Sequence, residues 1–350
     1  MTAVETRSTT GLLALTTLRG VGPVTAERIA HRFRWFDELS NAAPSHLSEV
    51  TSQSVAASLL QHGTLTDAID KALRILDTAA RSNVQIVSIF DREYPEALLQ
   101  LADRPPVLFI KGRLDAIGRN VACIGTREPS EFGVQVTQRI VEQLVSASWT
   151  IVSGLAIGVD SLAHATTLAK KGRTVAVLAG GLDSIYPKEN RQLAEDILAN
   201  DGALVSEQPF GTPAIPRNLI QRDRLQSGLS VATFVMQTDL KGGSMHTVRY
   251  TLQQERLLFA PLPQGRHADE PKSRGILALT QLTGSRLSAL LEAEGDYKRL
   301  LDSKFRDQPV ACPLASREQY VSMLEMLERQ IGRGIAPRGT SSTVEQQGLF

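Results

Sequence analysis

Between residues 120 and 261 the chain repeats one unit: a short apolar strand, a loop of Gly, Ser and basic residues, then a helix. Strands are expected at 121–125, 149–153, 174–179, 203–206, 230–237 and 257–260. The first three are apolar without alternation, as strands buried on both faces should be. Helical segments at 132–146, 159–170 and 190–200 lie between them and force parallel crossovers. The expected fold class is therefore α/β, with a doubly wound, mostly parallel sheet.

In a Rossmann-like sheet of this kind a ligand lies outside the carboxyl ends of the strands. Those ends carry Gly125-Thr126-Arg127, Ser153-Gly154, Gly180-Gly181, Lys188, Arg222-Asp223-Arg224 and Lys241-Gly242-Gly243-Ser244. Small residues let a phosphate approach the backbone, and Arg and Lys neutralise it, so a phosphate-binding surface is expected. The chain as a whole has no such bias. Its 38 Lys and Arg stand against 37 Asp and Glu, so a polyanion site has to be a local cluster. Cys123 and Cys312 make neither a disulfide framework nor a metal-ligand spacing. No run has membrane-spanning length, and residues 1–10 lack a signal-peptide core. The expectation is a cytoplasmic protein with no membrane contact, no metal and no cofactor.

Residues 1–81 read as a small all-helical domain of helix-hairpin-helix or SAM-like type. Gly20 and Gly22 flank Val21 between two helices, a turn that can present backbone N–H groups to a DNA phosphate. A plain helical corner, in which the glycines only permit a left-handed turn, is the competing reading. Residues 82–118 read as a bridging segment packed on the main domain, with strands at 84–89 and 107–110. The Rossmann-like domain is assigned to 119–295, a C-terminal helical segment to 296–335, and a disordered tail to 336–350.

Several motifs occur in order: Gly125-Thr126-Arg127; Ser153-Gly154-Leu155-Ala156 with Gly158-Val159-Asp160 and Ala163-His164; Tyr186-Pro187 with Asn190; Ser206-Glu207; and Arg222-Asp223-Arg224 with Gly228-Leu229-Ser230. The set resembles the DNA-processing protein A family (DprA, also called Smf), over roughly four fifths of the chain. The resemblance implies a non-enzymatic accessory protein that binds single-stranded DNA and loads RecA recombinase in DNA processing, transformation or recombination. It also implies a homodimer. DNA or phosphate contacts are expected at Gly125, Thr126, Arg127, Ser153, Gly154, Lys188, Arg217, Arg222, Arg224, Gly242, Gly243, Ser244 and Thr247. The start of the helix that Ser130 caps, together with Arg127, is the expected phosphate seat. The chain departs from the family at several places, the mildest being Thr126 for Ser, which keeps a hydroxyl. Asp223 stands for Asn, Gln237 for Glu, and Leu219 and Ile220 occupy the region of an aromatic suited to base stacking.

Each assignment has a competitor. Arg127 could pair with Glu128 or Glu131, and Gly154 could be an ordinary turn residue. Gly242-Gly243-Ser244 with Thr247 could be a turn and cap. Asp160 and His164, four apart on one helix, read better as a packing hydrogen bond than as a catalytic dyad, because no nucleophile accompanies them. An alternative function on the same sheet is nucleotide sensing or nucleoside-monophosphate cleavage. The Gly pair of such a loop is present at 242–243, but no acidic residue follows it for acid/base work. The last residues, Gln346-Gln347-Gly348-Leu349-Phe350, resemble a sliding-clamp-binding peptide, with Gln346, Leu349 and Phe350 as the contacts. A chance match is the competitor there.

Overall fold

A computed structural model describes residues 4–332, so Gln346, Leu349 and Phe350 lie outside the described residues. Helices come first: α1 (Thr9–Thr17), α2 (Pro23–Arg32), α3 (Phe36–Ser40), α4 (Pro44–Ser48), α5 (Gln53–Leu59) and α6 (Thr64–Arg81). The Ser8 hydroxyl caps α1 by accepting the Gly11 N–H at 3.0 Å. Pro23 opens α2, where its missing N–H has no intrahelical partner to lose. Between α1 and α2, Gly20 adopts φ +81°, which a side chain would strain. Val21 is buried, and Gly22 has open space where a Cβ would stand. Both glycines are exposed, although a Cβ at Gly20 would meet Val55 at 2.8 Å and the Val21 N–H is taken by the Leu18 carbonyl at 3.2 Å.

The sheet follows. Its elements are β1 (Val84–Ser88), α7 (Glu96–Leu99), β2 (Val107–Gly112), β3 (Asn120–Ile124), α8 (Glu131–Ser146), β4 (Thr150–Ser153), α9 (Val159–Ala169), β5 (Thr174–Val177), α10 (Arg191–Ala199), β6 (Ala203–Ser206), α11 (Pro216–Gly228), β7 (Ala232–Val235), α12 (Ser244–Gln253) and β8 (Leu257–Pro261). Then come α13 (Arg274–Gln281), α14 (Gly284–Leu290), α15 (Gly295–Ser303), β9 (Cys312–Leu314) and α16 (Gln319–Gly332). Strand order is β1-β2-β6-β5-β4-β3-β7-β8-β9. From β6 to β9 every pairing is parallel, and β2 alone runs against its neighbours. The doubly wound, mostly parallel sheet behind a helical N-terminal region is the fold expected from the sequence. Two segments do more than expected. Residues 82–118 pair into the sheet as β1 and β2, and the C-terminal segment adds β9 beside β8. With three residues and Pro313 at its centre, β9 carries no strand signal in sequence.

Alternation along the strands sends side chains to two faces. On β5, Val175 and Val177 join Leu225 of α11 in one cluster, whereas Ala176 joins Ile197 of α10 in another. Across β3 and β7, Val121, Cys123 and Phe234 pack under α8, and Ile124 and Val235 pack under α12 and α13. The N-terminal helices have no separate core: Leu12, Leu15, Ile29 and Ala72 share one cluster with Phe109 of β2 and Leu204 of β6. Among the described residues no helix is long and apolar enough to cross a membrane.

Phe109 is 1% exposed and sits where the helices meet the sheet. Phe109→Ala is expected to cost about 3–5 kcal/mol in urea denaturation. The helices and sheet are expected to unfold in a single transition because they share that core. Two resolved transitions would show that the helical layer folds independently.

Candidate functional site

The chain runs β3, β4, β5, β6 in one direction across the sheet, then crosses back to place β7 on the other side of β3. This reversal opens a crevice at the carboxyl ends of β3 and β7, where a doubly wound sheet binds its ligand. A cleft of about 620 Å³ lies there. It gathers Gly125, Thr126, Arg127, Arg222, Gly242, Gly243, Ser244 and Thr247 from the expected set, and adds Asp160, Tyr186, Leu219, Ile220, Asp223, Thr238 and Lys272. Gly154 lines a small adjoining recess with Arg127, Tyr186 and Arg222. Lys188 is exposed two residues beyond Tyr186, and Arg217 is exposed in the first turn of α11.

The floor of the cleft is built around Arg222. Its buried Nη1 donates to the carbonyls of Gly154 at 2.7 Å and Val177 at 2.6 Å, tying α11 to the ends of β4 and β5. Its Nε stands 3.2 Å from a carboxylate oxygen of Asp223. Asp223 also accepts from the Gln226 amide at 3.1 Å and from the Thr247 hydroxyl. Asp160, at the start of α9, accepts the N–H groups of Gly154 at 3.1 Å and Ala156 at 3.4 Å. One guanidinium therefore lies between two carboxylates. Burial pushes both carboxyls up, with Arg222 opposing; Asp223 reaches about 6, raised further by Asp160.

The rim is cationic. Arg127 is exposed and has no ion-pair partner among the described residues. Its two expected competitors are taken: Glu128 pairs with Lys272 at 3.0 Å and Glu131 with Arg266 at 2.9 Å. Lys188, Arg217 and Lys241 are likewise exposed and unpaired among the described residues.

Other expected contacts are turned inward. The Ser153 hydroxyl is buried and donates to the Cys123 carbonyl at 2.6 Å, so it stitches β4 to β3 and offers nothing to a ligand. Arg224 is also buried: Nη1 and Nη2 each reach Glu207 at 2.8 Å, and Nη2 reaches the Asp103 carbonyl at 3.0 Å. It braces the segment before β2 against the loop after β6, away from the cleft. Gly154 is a glycine because of Arg222, since a Cβ would lie 1.9 Å from Nη1. At Gly125 a Cβ would meet Val159 at 2.6 Å, again packing. Thr247 is buried against Asp223. The expected phosphate seat at the start of α8 is filled from within. Ser130 makes no side-chain cap; its N–H donates to Gln237 at 2.9 Å, and the Gln237 amide reaches the Ser130 hydroxyl at 2.8 Å and Glu270 at 3.0 Å. Hydrogen bonds from Ser130 and His267 hold the Glu270 carboxyl below its ordinary range, so an internal anion occupies that place.

Asp160 and His164 do not meet as a dyad. The Thr174 hydroxyl donates to the Ile151 carbonyl at 2.8 Å, so it accepts from His164 Nδ1 at 2.6 Å. Burial, then Arg222, pushes the His164 pKa down to about 3, which keeps the ring neutral. Tyr186 and Lys272 were not among the expected contacts. Tyr186 belongs to a recognised motif, but its exposure depends on the tertiary fold and has no sequence signal.

Two outcomes follow from the floor. Gly154→Ala is expected to lose about 1–3 kcal/mol by overpacking against Arg222, whereas Gly243→Ala, with nothing within 4 Å of its Cβ position, should stay within about 0.5 kcal/mol of wild type in urea denaturation. Asp223, raised from 3.8 to about 6, keeps its proton in the folded chain across a window where the unfolded chain has lost it. The stability this gives is present below about pH 4 and is lost as pH rises to about 6, beyond which both states are ionised. Asp223→Asn should therefore stabilise relative to wild type by an amount that grows as pH rises from about 4 to about 6, reaching on the order of 2–3 kcal/mol. A difference that does not change with pH would show that the carboxyl ionises freely.

Comparison with known proteins agrees with this architecture. The sequence model for DNA recombination-mediator protein A matches residues 85–290. Protein Smf of Synechocystis sp. is 36% identical over 275 residues, covering 76% of this chain and 67% of the relative. The DNA processing protein DprA of Bacillus subtilis is 37% identical over 216 residues, 61% of this chain and 72% of the relative. The crystal structure of DNA processing protein A from Streptococcus pneumoniae superposes with a TM-score of 0.64 at 22% identity, over 90% of this chain and 97% of that one, and shows the same fold. DNA processing protein A from Helicobacter pylori, described for its single-stranded DNA binding mode, gives a TM-score of 0.53 at 27% identity, over 69% of this chain and 96% of that one. The family model covers more than half of the chain and the relatives are more than a third identical to it, so the chain belongs to the DNA recombination-mediator protein A family, the DprA/Smf proteins.

Proposed function

We propose that this protein binds single-stranded DNA across the mouth of the cleft and delivers it to RecA recombinase, acting as a homodimer without catalytic turnover. The observation that supports this best is the division of charge. Arg127, Lys188, Arg217 and Lys241 stand exposed and, among the described residues, unpaired around a floor that holds two carboxyl groups and one guanidinium. A phosphate chain is attracted to that rim and repelled from that floor, which suits a polymer lying across the cleft better than a phosphate buried in it. The H. pylori relative is described as a single-stranded DNA binder, in line with this reading. Thr126 and Ser244 line the cleft and are proposed backbone contacts, the Ser244 hydroxyl donating at present to Thr238 at 2.7 Å, and the exposed Gly20 and Gly22 of the Gly20-Val21-Gly22 turn are a proposed second contact.

One observation favours a second reading, cleavage of a nucleoside monophosphate: Asp223 lines the cleft with a pKa of about 6. Acid/base work needs a carboxyl free to exchange its proton with the substrate. Asp223 is instead engaged by Arg222, Gln226 and Thr247, and Asp160 by two backbone N–H groups. The DNA-binding reading is therefore preferred.

Fluorescence titrations against oligothymidylate, a duplex of equal length and adenosine monophosphate, at two salt concentrations, test both. Oligothymidylate affinity should fall steeply with salt through counterion release. Arg127→Ala, Lys188→Ala and Arg217→Ala should each weaken binding alike for all base compositions. Binding by wild type should tighten as pH drops through about 6, when Asp223 takes up its proton, and Asp223→Asn should bind more tightly at neutral pH and lose that dependence. A flat salt response would sink the phosphate-rim proposal, and release of adenine from the monophosphate would favour the enzyme.

A further inference from the structure

Ten large apolar side chains are exposed among the described residues, and four of them, Ile157, Tyr186, Ile215 and Ile220, gather around the mouth of the cleft or in the loops that form it. Apolar groups gathered at the edge of a charged cleft mark a surface that a ligand covers. The ligand must therefore offer apolar faces as well as phosphates.

Tyr186 is the centre of this group. Its side chain is 52% exposed, and it lines both the main cleft with Leu219 and Ile220 and the recess with Arg127. The phenol has no hydrogen-bond partner among the described residues. The loop that carries it is nevertheless fixed on both sides. Asn190 Nδ2 donates to the Leu155 carbonyl at 2.8 Å, and the Gly181 N–H donates to the Thr212 carbonyl at 2.9 Å. Asp183 accepts the Gly211 N–H at 3.0 Å. An exposed ring on a pinned loop loses little freedom when a flat partner settles on it.

We infer that Tyr186 is a stacking platform for one unpaired nucleobase, with Leu219 and Ile220 supplying apolar wall in the same cleft. The assignment rests on the proposed binding of single-stranded DNA and names the part of the strand this side chain takes. Polarity sets the orientation. The floor's one guanidinium, Arg222, is taken by the Gly154 and Val177 carbonyls and by Asp223, while Arg127 and Lys188 stand exposed to hold phosphates at the rim, so the backbone runs outside and a base turns inward. Every base has a π face, so the contact tolerates any sequence. In a duplex both faces of each base are already stacked, so the subsite selects single strands.

The test is a set of equilibrium titrations of the full chain against oligothymidylate and against an abasic deoxyribose-phosphate strand of equal length. Tyr186→Ala should weaken oligothymidylate binding about 5- to 100-fold and leave abasic-strand binding unchanged. Tyr186→Phe should keep wild-type affinity for both, and Lys188→Ala should weaken both alike. If Tyr186→Ala weakens both strands equally, or neither, the stacking assignment is overturned while the proposed function stands. If the wild-type protein binds neither strand, the proposed function itself is overturned.

Discussion

The site depends on a single buried cation. Arg222 reaches from α11 to the carbonyl oxygens that end β4 and β5, which forces position 154 to be a glycine and brings two carboxylates to its flanks. A buried guanidinium without such partners would cost several kcal/mol, and a buried carboxylate without Arg222 would cost as much. The cluster is therefore self-consistent as a unit and most sensitive to the loss of Arg222. It also reaches past the cleft, since the same charge helps keep His164 neutral beneath α9.

The floor and rim use the same residue types in opposite ways. Arg222 and Arg224 are buried and matched to internal acceptors, so their charge is spent on holding loops together. Arg127, Lys188, Arg217 and Lys241 have no such acceptors among the described residues, and their long stems leave the charged heads in water. Glu128, Glu131 and Glu270 could have quenched them, yet each is engaged elsewhere, by Lys272, Arg266, and the Ser130–Gln237–His267 group. A near-neutral chain thereby keeps a local positive surface, and it does so by pairing off its acids rather than by carrying excess base.

The strands, the crossovers and the switch point could be read from the sequence because they rest on short-range apolar periodicity. The inward or outward turn of individual side chains could not, except in one case. Residues 222 and 224 are two apart on a helix, so they point about 200° away from each other and cannot both face one cleft. That geometry was available from spacing alone and argues against a shared phosphate role. Gly154 shows the opposite limit. Its small size predicts room for a ligand, but the atom that needs the room belongs to Arg222, 68 residues later. The occupation of the α8 start by Glu270 is equally remote in sequence. Where function depends on which of several partners arrives first at a backbone site, pattern gives the site and only the fold gives the occupant.

The segment beyond residue 290, outside the family match, is part of the same folded body. β9 pairs in parallel with β8 and so covers a strand edge that would otherwise be open to pairing with another chain. α16 sends Met323 and Leu327 into the cluster that holds Phe234, Phe259 and Trp149. Glu328 of α16 pairs with Arg119, whose guanidinium lies 4.6 Å over the Trp149 ring beside the start of β3. The C-terminal helix therefore anchors the entry of the strand whose other end carries Gly125-Thr126-Arg127. Removing it would expose an apolar face and loosen the foundation of β3, so the rim arginine depends on packing contributed from the far end of the described chain.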